Sequence, residues 1–162
     1  MPKDILYWED DFVFSYRVGG VLRRGDKVLL QRCEGDYAII GGHVSRMEST
    51  AQTLAREFME ELHAPIEVGR LMAVGEVFFP WRGRPCHQIC LYYEVKLSGE
   101  PAIPLDGVFH GYDELGGERI DLDFCWVPLE EIGRSIEVYP LELMPFLLEN
   151  GNEVRHFVSR EI

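Results

Sequence analysis

The sequence predicts an α+β fold, and three observations predict it. Residues 49 to 62 place Ala51, Leu54, Ala55, Phe58 and Leu62 at helical spacing. Residues 89 to 97 alternate with the period of two expected of a strand. Several further β-like runs are separated by Gly-, Pro- and Asp-rich turns.

In chain order, Phe12 to Leu22 reads as a strand that ends at the turn Arg23-Arg24-Gly25-Asp26, and Lys27 to Arg32 returns as its hairpin partner. After a turn at Glu34-Gly35-Asp36, Tyr37 to Ile40 forms a short strand running into Gly41-Gly42. The helix that follows starts on a capping box, Ser49 with Gln52, and stops at His63, a residue that tolerates a left-handed C-cap, ahead of Pro65. Ile66 to Phe79 is a long, interrupted β-like stretch, and Trp81-Arg82-Gly83-Arg84-Pro85 turns it into an antiparallel neighbour. There Ile89, Leu91, Tyr93, Val95 and Leu97 are expected on the one buried face. Gly99 to Gly117 is expected to be an irregular loop, followed by a strand at Phe124 to Val127 and a helical turn at Pro128 to Ile132. A C-terminal helix, kinked or restarted near Pro145, is expected over Leu141 to Glu149, and an edge strand over Val154 to Ser159.

At 162 residues, 46% apolar and 27% charged, the chain is expected to form one domain, 1–162. No apolar run approaches the ~20 residues that span a bilayer, and no secretion signal is read at the N-terminus, so no membrane partner is expected. Cys33, Cys86, Cys90 and Cys125 lack paired motif spacing, which points to a reduced, cytoplasmic setting. A net charge of −12 disfavours long nucleic acid, whose binding depends on Lys and Arg clusters. Small anionic ligands stay open if bound cations reverse the local field.

Glu57, Glu60 and Glu61 recur at i, i+3 and i+4, which at ~100° per residue sets all three on one helix face. Like charges at that spacing repel, and the helix C-terminus disfavours anions. Arg56 is one cation against three carboxylates, so the patch suits a hard ion such as Mg²⁺ or Mn²⁺. A solvated acidic face is the bland alternative.

The context of the triplet is more specific. Gly42 is followed by five residues and Glu48, then seven residues and Arg56-Glu57-Phe58-Met59-Glu60-Glu61. Over 42–64 this resembles the signature of the Nudix hydrolases, the MutT-like family, with every charged position occupied. His63 stands at the family's glycine, Ala64 at its last apolar position, and Ile40 where many members carry proline.

The resemblance implies the Nudix α/β/α sandwich, a mixed sheet between helices, and a pyrophosphohydrolase acting on a nucleoside diphosphate linked to another moiety: a nucleoside triphosphate, a nucleotide sugar, ADP-ribose or similar. It implies that Glu57, Glu60 and Glu61 ligate Mg²⁺, or Mn²⁺ in its place, with the Gly42 carbonyl. Gly41 and Glu48 would shape the loop, and Arg56 would orient a glutamate. The general base is expected at Glu57 or Glu60, or else at Glu114 or Glu118 in the late loop, where a solvated acidic loop is the competing reading. For substrate contacts the candidates are Arg32, Trp81, Arg82 and Arg84, the last three being equally readable as a basic hairpin tip. Phe109, His110 and Tyr112 could cover a nucleobase or anchor their loop to the core. A homodimer is the default oligomer. Two rivals remain: a non-catalytic Nudix-fold module that senses a nucleotide, and an isomerase acting on an isoprenoid diphosphate.

Overall fold

The computed structural model describes residues 3–115 and 117–162, with the backbone alone for 113–115. Ten strands and two α-helices follow the chain as β1 (Leu6–Glu9), β2 (Phe12–Arg24), β3 (Lys27–Cys33), β4 (Asp36–His43), α1 (Thr50–Leu62), β5 (Ile66–Trp81), β6 (Arg84–Leu97), β7 (Val108–Leu115), β8 (Glu118–Pro128), β9 (Val138–Tyr139), α2 (Met144–Leu147) and β10 (Arg155–Arg160). The strands form a mixed sheet in the order β10-β5-β6-β2-β4-β3-β8-β7, with β1 on β2 and β9 on β4. No helix among the described residues is long and apolar enough to cross a membrane.

One departure from simple hairpin order creates the space in which ligands can sit. The β2–β3 hairpin pairs only at Arg23 with Val28 and Arg24 with Lys27. Beyond that the two strands splay, and β4 enters between them. Its first half, Asp36 to Ile39, pairs with β3, whereas its second half, Ile40 to His43, pairs with β2. A single strand thus bridges two diverging groups of strands, and a cleft opens where they part.

Two apolar layers cover the faces of the sheet. On one side Leu54, Phe58 and Leu62 of α1 pack with Val18, Leu22, Leu29, Ile40, Phe124 and Trp126. On the other, Leu143 and Leu147 around α2 pack with Val21, Leu30, Met72, Val127 and Phe157. Helix α1 is the expected one, with Ser49 and Gln52 closing the capping box and His63 in the left-handed region at φ 51°. Thr50 and Thr53 are buried in it, while Ala51 and Ala55 are only partly so. Hydroxyl bonds make the threonines compatible with that burial: Thr53 Oγ1 donates to Glu48, and Thr50 Oγ1 meets the Tyr93 hydroxyl at 2.7 Å.

Three expectations need correction, and one strand is new. Residues 99 to 117 are not all loop: β7 occupies Val108–Leu115 and pairs with a β8 that starts at Glu118, well before Phe124. Phe109 against Phe124 and the cross-strand pairs supply the stability that local Gly and Asp content concealed. In β6 Val95 is buried as expected, with Tyr93 and Leu97 partly buried beside it, but from Cys86 to Tyr92 the buried positions are Cys86, Gln88, Cys90 and Tyr92, the opposite parity to that expected, because both faces of this sheet are covered. The C-terminal helix restarts near Pro145 as expected, a 3₁₀ turn at Leu141–Leu143 leading into α2, but it ends at Leu147 instead of reaching Glu149. Finally, β1 adds an N-terminal strand that was not anticipated.

Candidate active site

Strand β4 and helix α1 build the site between them. Gly41 and Gly42 are strand residues facing a crowded neighbourhood: a Cβ on Gly41 would lie 1.9 Å from the Val18 carbonyl oxygen, and one on Gly42 would lie 2.4 Å from Glu57 Cδ. Only glycine lets the helix carboxylate approach the β4 backbone this closely.

Arg56 organises the acidic cluster. Its Nε donates to both carboxylate oxygens of Glu48 at 3.2 and 3.1 Å, and its NH2 donates to Glu48 Oε1 at 2.9 Å and to Ser45 Oγ at 2.7 Å. Its NH1 reaches Glu60 at 3.2 Å and Glu57 at 3.5 Å. The guanidinium therefore ties the loop at 44–49 to the helix and turns two more carboxylates toward one point. These bonds hold the Glu48 carboxyl below the usual carboxylate range, with Arg56 the main cause, and raise the Arg56 pKa further above its ordinary value. The Glu57 side chain is 13% exposed and that of Glu60 is 58% exposed, so the cluster runs from the protein interior to solvent. Glu61, half-buried, occupies the next position of the same helix. Among the described residues no three His, Cys, Asp or Glu side chains already converge as a metal-binding group.

On the opposite face of β4 lies the cleft between the strand groups, about 560 Å³, lined by residues that include Arg17, Gln31, Asp36, Phe79, Gln88 and Tyr92. A second lobe of about 480 Å³ shares Arg17, Gln31, Asp36, Phe79 and Gln88 and adds His43 and Trp81. Rings of His43 and Trp81 are stacked at 5.9 Å and 7°. Burial drives the His43 pKa down to about 3, with the Arg17 charge adding to the effect, so the imidazole is neutral.

Of the proposed substrate contacts, Trp81 lines this cleft. Arg82 and Arg84 flank the β5–β6 turn, where Arg82 lies 3.6 Å from Glu118. Arg84 donates to the Asp10 carbonyl at 3.0 Å and stacks over Trp8 at 5.5 Å, which engages it with the N-terminal hairpin. Arg32 donates to Asp123 at 2.9 Å and lies over Tyr37, beside a separate shallow pocket. Phe109 packs into the core against Phe124, His110 pairs with Asp123, and Tyr112 carries Arg119 on its ring. The side chain of Glu114 lies outside the described residues. Arg17 and Gln88 were not anticipated; an arginine within the apolar run Phe12 to Leu22 is the signal that marks the first.

The model of the NUDIX domain matches residues 14–145, and the chain belongs to the Nudix hydrolase family, of the MutT-like kind. No curated protein matches it. Among solved structures, an ADP-ribose pyrophosphatase from Streptococcus suis superposes with a TM-score of 0.57 at 15% identity, over 88% of this chain and 98% of that one. A UDP-X diphosphatase gives 0.56 at 17% identity over 92% and 68%, and the MutT protein of Methanosarcina mazei Go1 gives 0.54 at 22% identity over 86% and 94%. At these identities the structures establish the shared Nudix fold, an α+β arrangement around a mixed sheet.

Proposed function

We propose that this Nudix-type hydrolase cleaves the diphosphate linkage of a nucleoside diphosphate joined to another moiety, using Mg²⁺, or Mn²⁺ in its place. The observation that carries the reading is the glycine cradle at Gly42 against Glu57, with Arg56 gathering Glu48, Glu57 and Glu60 around it. The donor set fits the ion: carboxylate and carbonyl oxygens are the hard ligands that Mg²⁺ and Mn²⁺ prefer. Glu57, Glu60, Glu61 and the Gly42 carbonyl would hold it. When bound, such a cation neutralises the diphosphate oxygens and stabilises the leaving phosphate.

The protein's own residues do the remaining work. Arg56 fixes the orientation of Glu57 and Glu60, and Glu48 holds the loop that follows the glycine pair against the helix. Glu57 or Glu60 removes a proton from the attacking water, with Glu60 the more open to solvent; Glu118, paired with Arg82, is the remoter candidate. The acidic surface favours a small, cation-neutralised substrate over long nucleic acid, and the activities named for the Streptococcus suis protein and the UDP-X diphosphatase support a nucleotide derivative.

Incubation with a panel of nucleoside triphosphates, nucleotide sugars, ADP-ribose and dinucleotides, with and without Mg²⁺, tests the proposal. Release of phosphate or a nucleoside monophosphate only with the cation is expected. Binding without turnover across the panel would instead favour a nucleotide sensor.

A further inference from the structure

Arg17 sits half-buried on the cleft face of β2, level with His43 on β4 and Cys90 on β6. Burial pushes the Cys90 thiol up to about 11, so this neighbour supplies no negative charge to the guanidinium. The Arg17 side chain makes no hydrogen bond and no ion pair among the described residues, and the carboxylates that also line the two lobes, Glu34, Asp36 and Glu161, all lie beyond ion-pair distance. A partly desolvated guanidinium with five donors and no acceptor is costly unless a ligand supplies the acceptor.

A second donor faces the same space. Ser15 Oγ donates to Gln88 Oε1 at 3.1 Å, deep in the sheet. That bond fixes the amide so that its NH₂ group is left for the cleft, which Gln88 lines in both lobes. Beyond them His43, 7% exposed, has an Nε2 with no hydrogen-bond partner. One strand position from His43 is Gly42, at the glutamate cluster.

We infer that Arg17 and the Gln88 amide form a phosphate subsite on the cleft side of β4, gripping one phosphoryl group of the substrate while the glutamate cluster addresses the linkage from the helix side. The inference rests on the reading of a nucleoside diphosphate substrate and adds the residues that select for its charge. The His43–Trp81–Phe79 stack lies beside the subsite as a wall for the attached ring.

Titration calorimetry of the full chain with ADP in the presence of EDTA tests it apart from catalysis. Arg17→Gln should weaken ADP binding about tenfold or more, the loss expected for a charge-assisted contact, and Arg17→Lys should recover part of it. Adenosine, which has no phosphate, should bind both forms alike. Because Arg17 has no partner to orphan, the variant should melt with the wild type. In steady state Arg17→Gln should raise KM with little change in kcat. Equal ADP affinity in wild type and Arg17→Gln, or no uptake of ADP or inorganic pyrophosphate by the wild type at millimolar supply, overturns the subsite even if turnover is normal. Arg17-dependent ADP binding in a protein that hydrolyses nothing in the panel would leave the subsite standing and overturn the proposed reaction.

Discussion

Arg56 donates to both carboxylate oxygens of Glu48, eight residues away in sequence, and so fastens the loop that follows β4 to the helix that carries Glu57 and Glu60. Both side chains are about three-quarters shielded from solvent, which makes the pair stronger than a surface ion pair. Glu48→Gln should lower stability by about 1–3 kcal/mol, the range for a shielded charged hydrogen bond, and lower kcat because Arg56 is released. Thermal unfolding and steady-state kinetics of the variant check this. An unchanged Tm would show that the tether is not structural.

Gly42→Ala should damage catalysis more than folding. The added Cβ would stand 2.4 Å from Glu57 Cδ, so the carboxylate must swing away while the strand pairing with β2 survives. A large fall in kcat and a higher Mg²⁺ requirement are expected, with far-UV circular dichroism retained. Wild-type turnover would show that Glu57 need not lie against β4.

His43 gives the stability a pH dependence. Its folded pKa of about 3 lies below the 6.5 of a free histidine, so the unfolded chain binds a proton that the folded chain refuses. Its contribution is present above about pH 6.5 and is lost as pH falls from there toward about 3, at up to about 1.4 kcal/mol per pH unit. Urea unfolding of wild type and His43→Gln across that window should show a steeper loss in the wild type; parallel curves would contradict the assignment.

Phe58 is fully buried beneath α1, and its ring meets Gly20 closely enough that a Cβ there would lie 2.9 Å away. Phe58→Ala should therefore cost about 3–5 kcal/mol. Ser49→Ala, which removes only the N-cap, should cost about 0.5–2 kcal/mol. Denaturant titration of the two variants should preserve that order.

Much of the local geometry around the glutamates was legible because its determinants are local. Ser49, Gln52, His63 and the spacing of the glutamates all act within one helix and its ends, where sequence distance and spatial distance nearly coincide. His63 shows the principle: it replaces a glycine yet adopts the left-handed conformation the helix end requires. The cleft was not legible, because it depends on β4 exchanging partners halfway along its length, a decision made by strands far apart in sequence. Arg17 and Gln88 belong to that non-local part. So does β7, whose Gly- and Asp-rich sequence is held extended by pairing with β8 rather than by its own propensity.

The most direct test of the account is electron paramagnetic resonance of Mn²⁺ titrated into the protein, since bound ion loses the sharp signal of free ion. Wild type should deplete the free signal, and Glu57→Gln/Glu60→Gln should leave most of it intact and lose turnover together with binding. A wild-type protein that leaves millimolar Mn²⁺ free, or a double variant that binds and hydrolyses as before, would contradict the assignment of these glutamates to the cation.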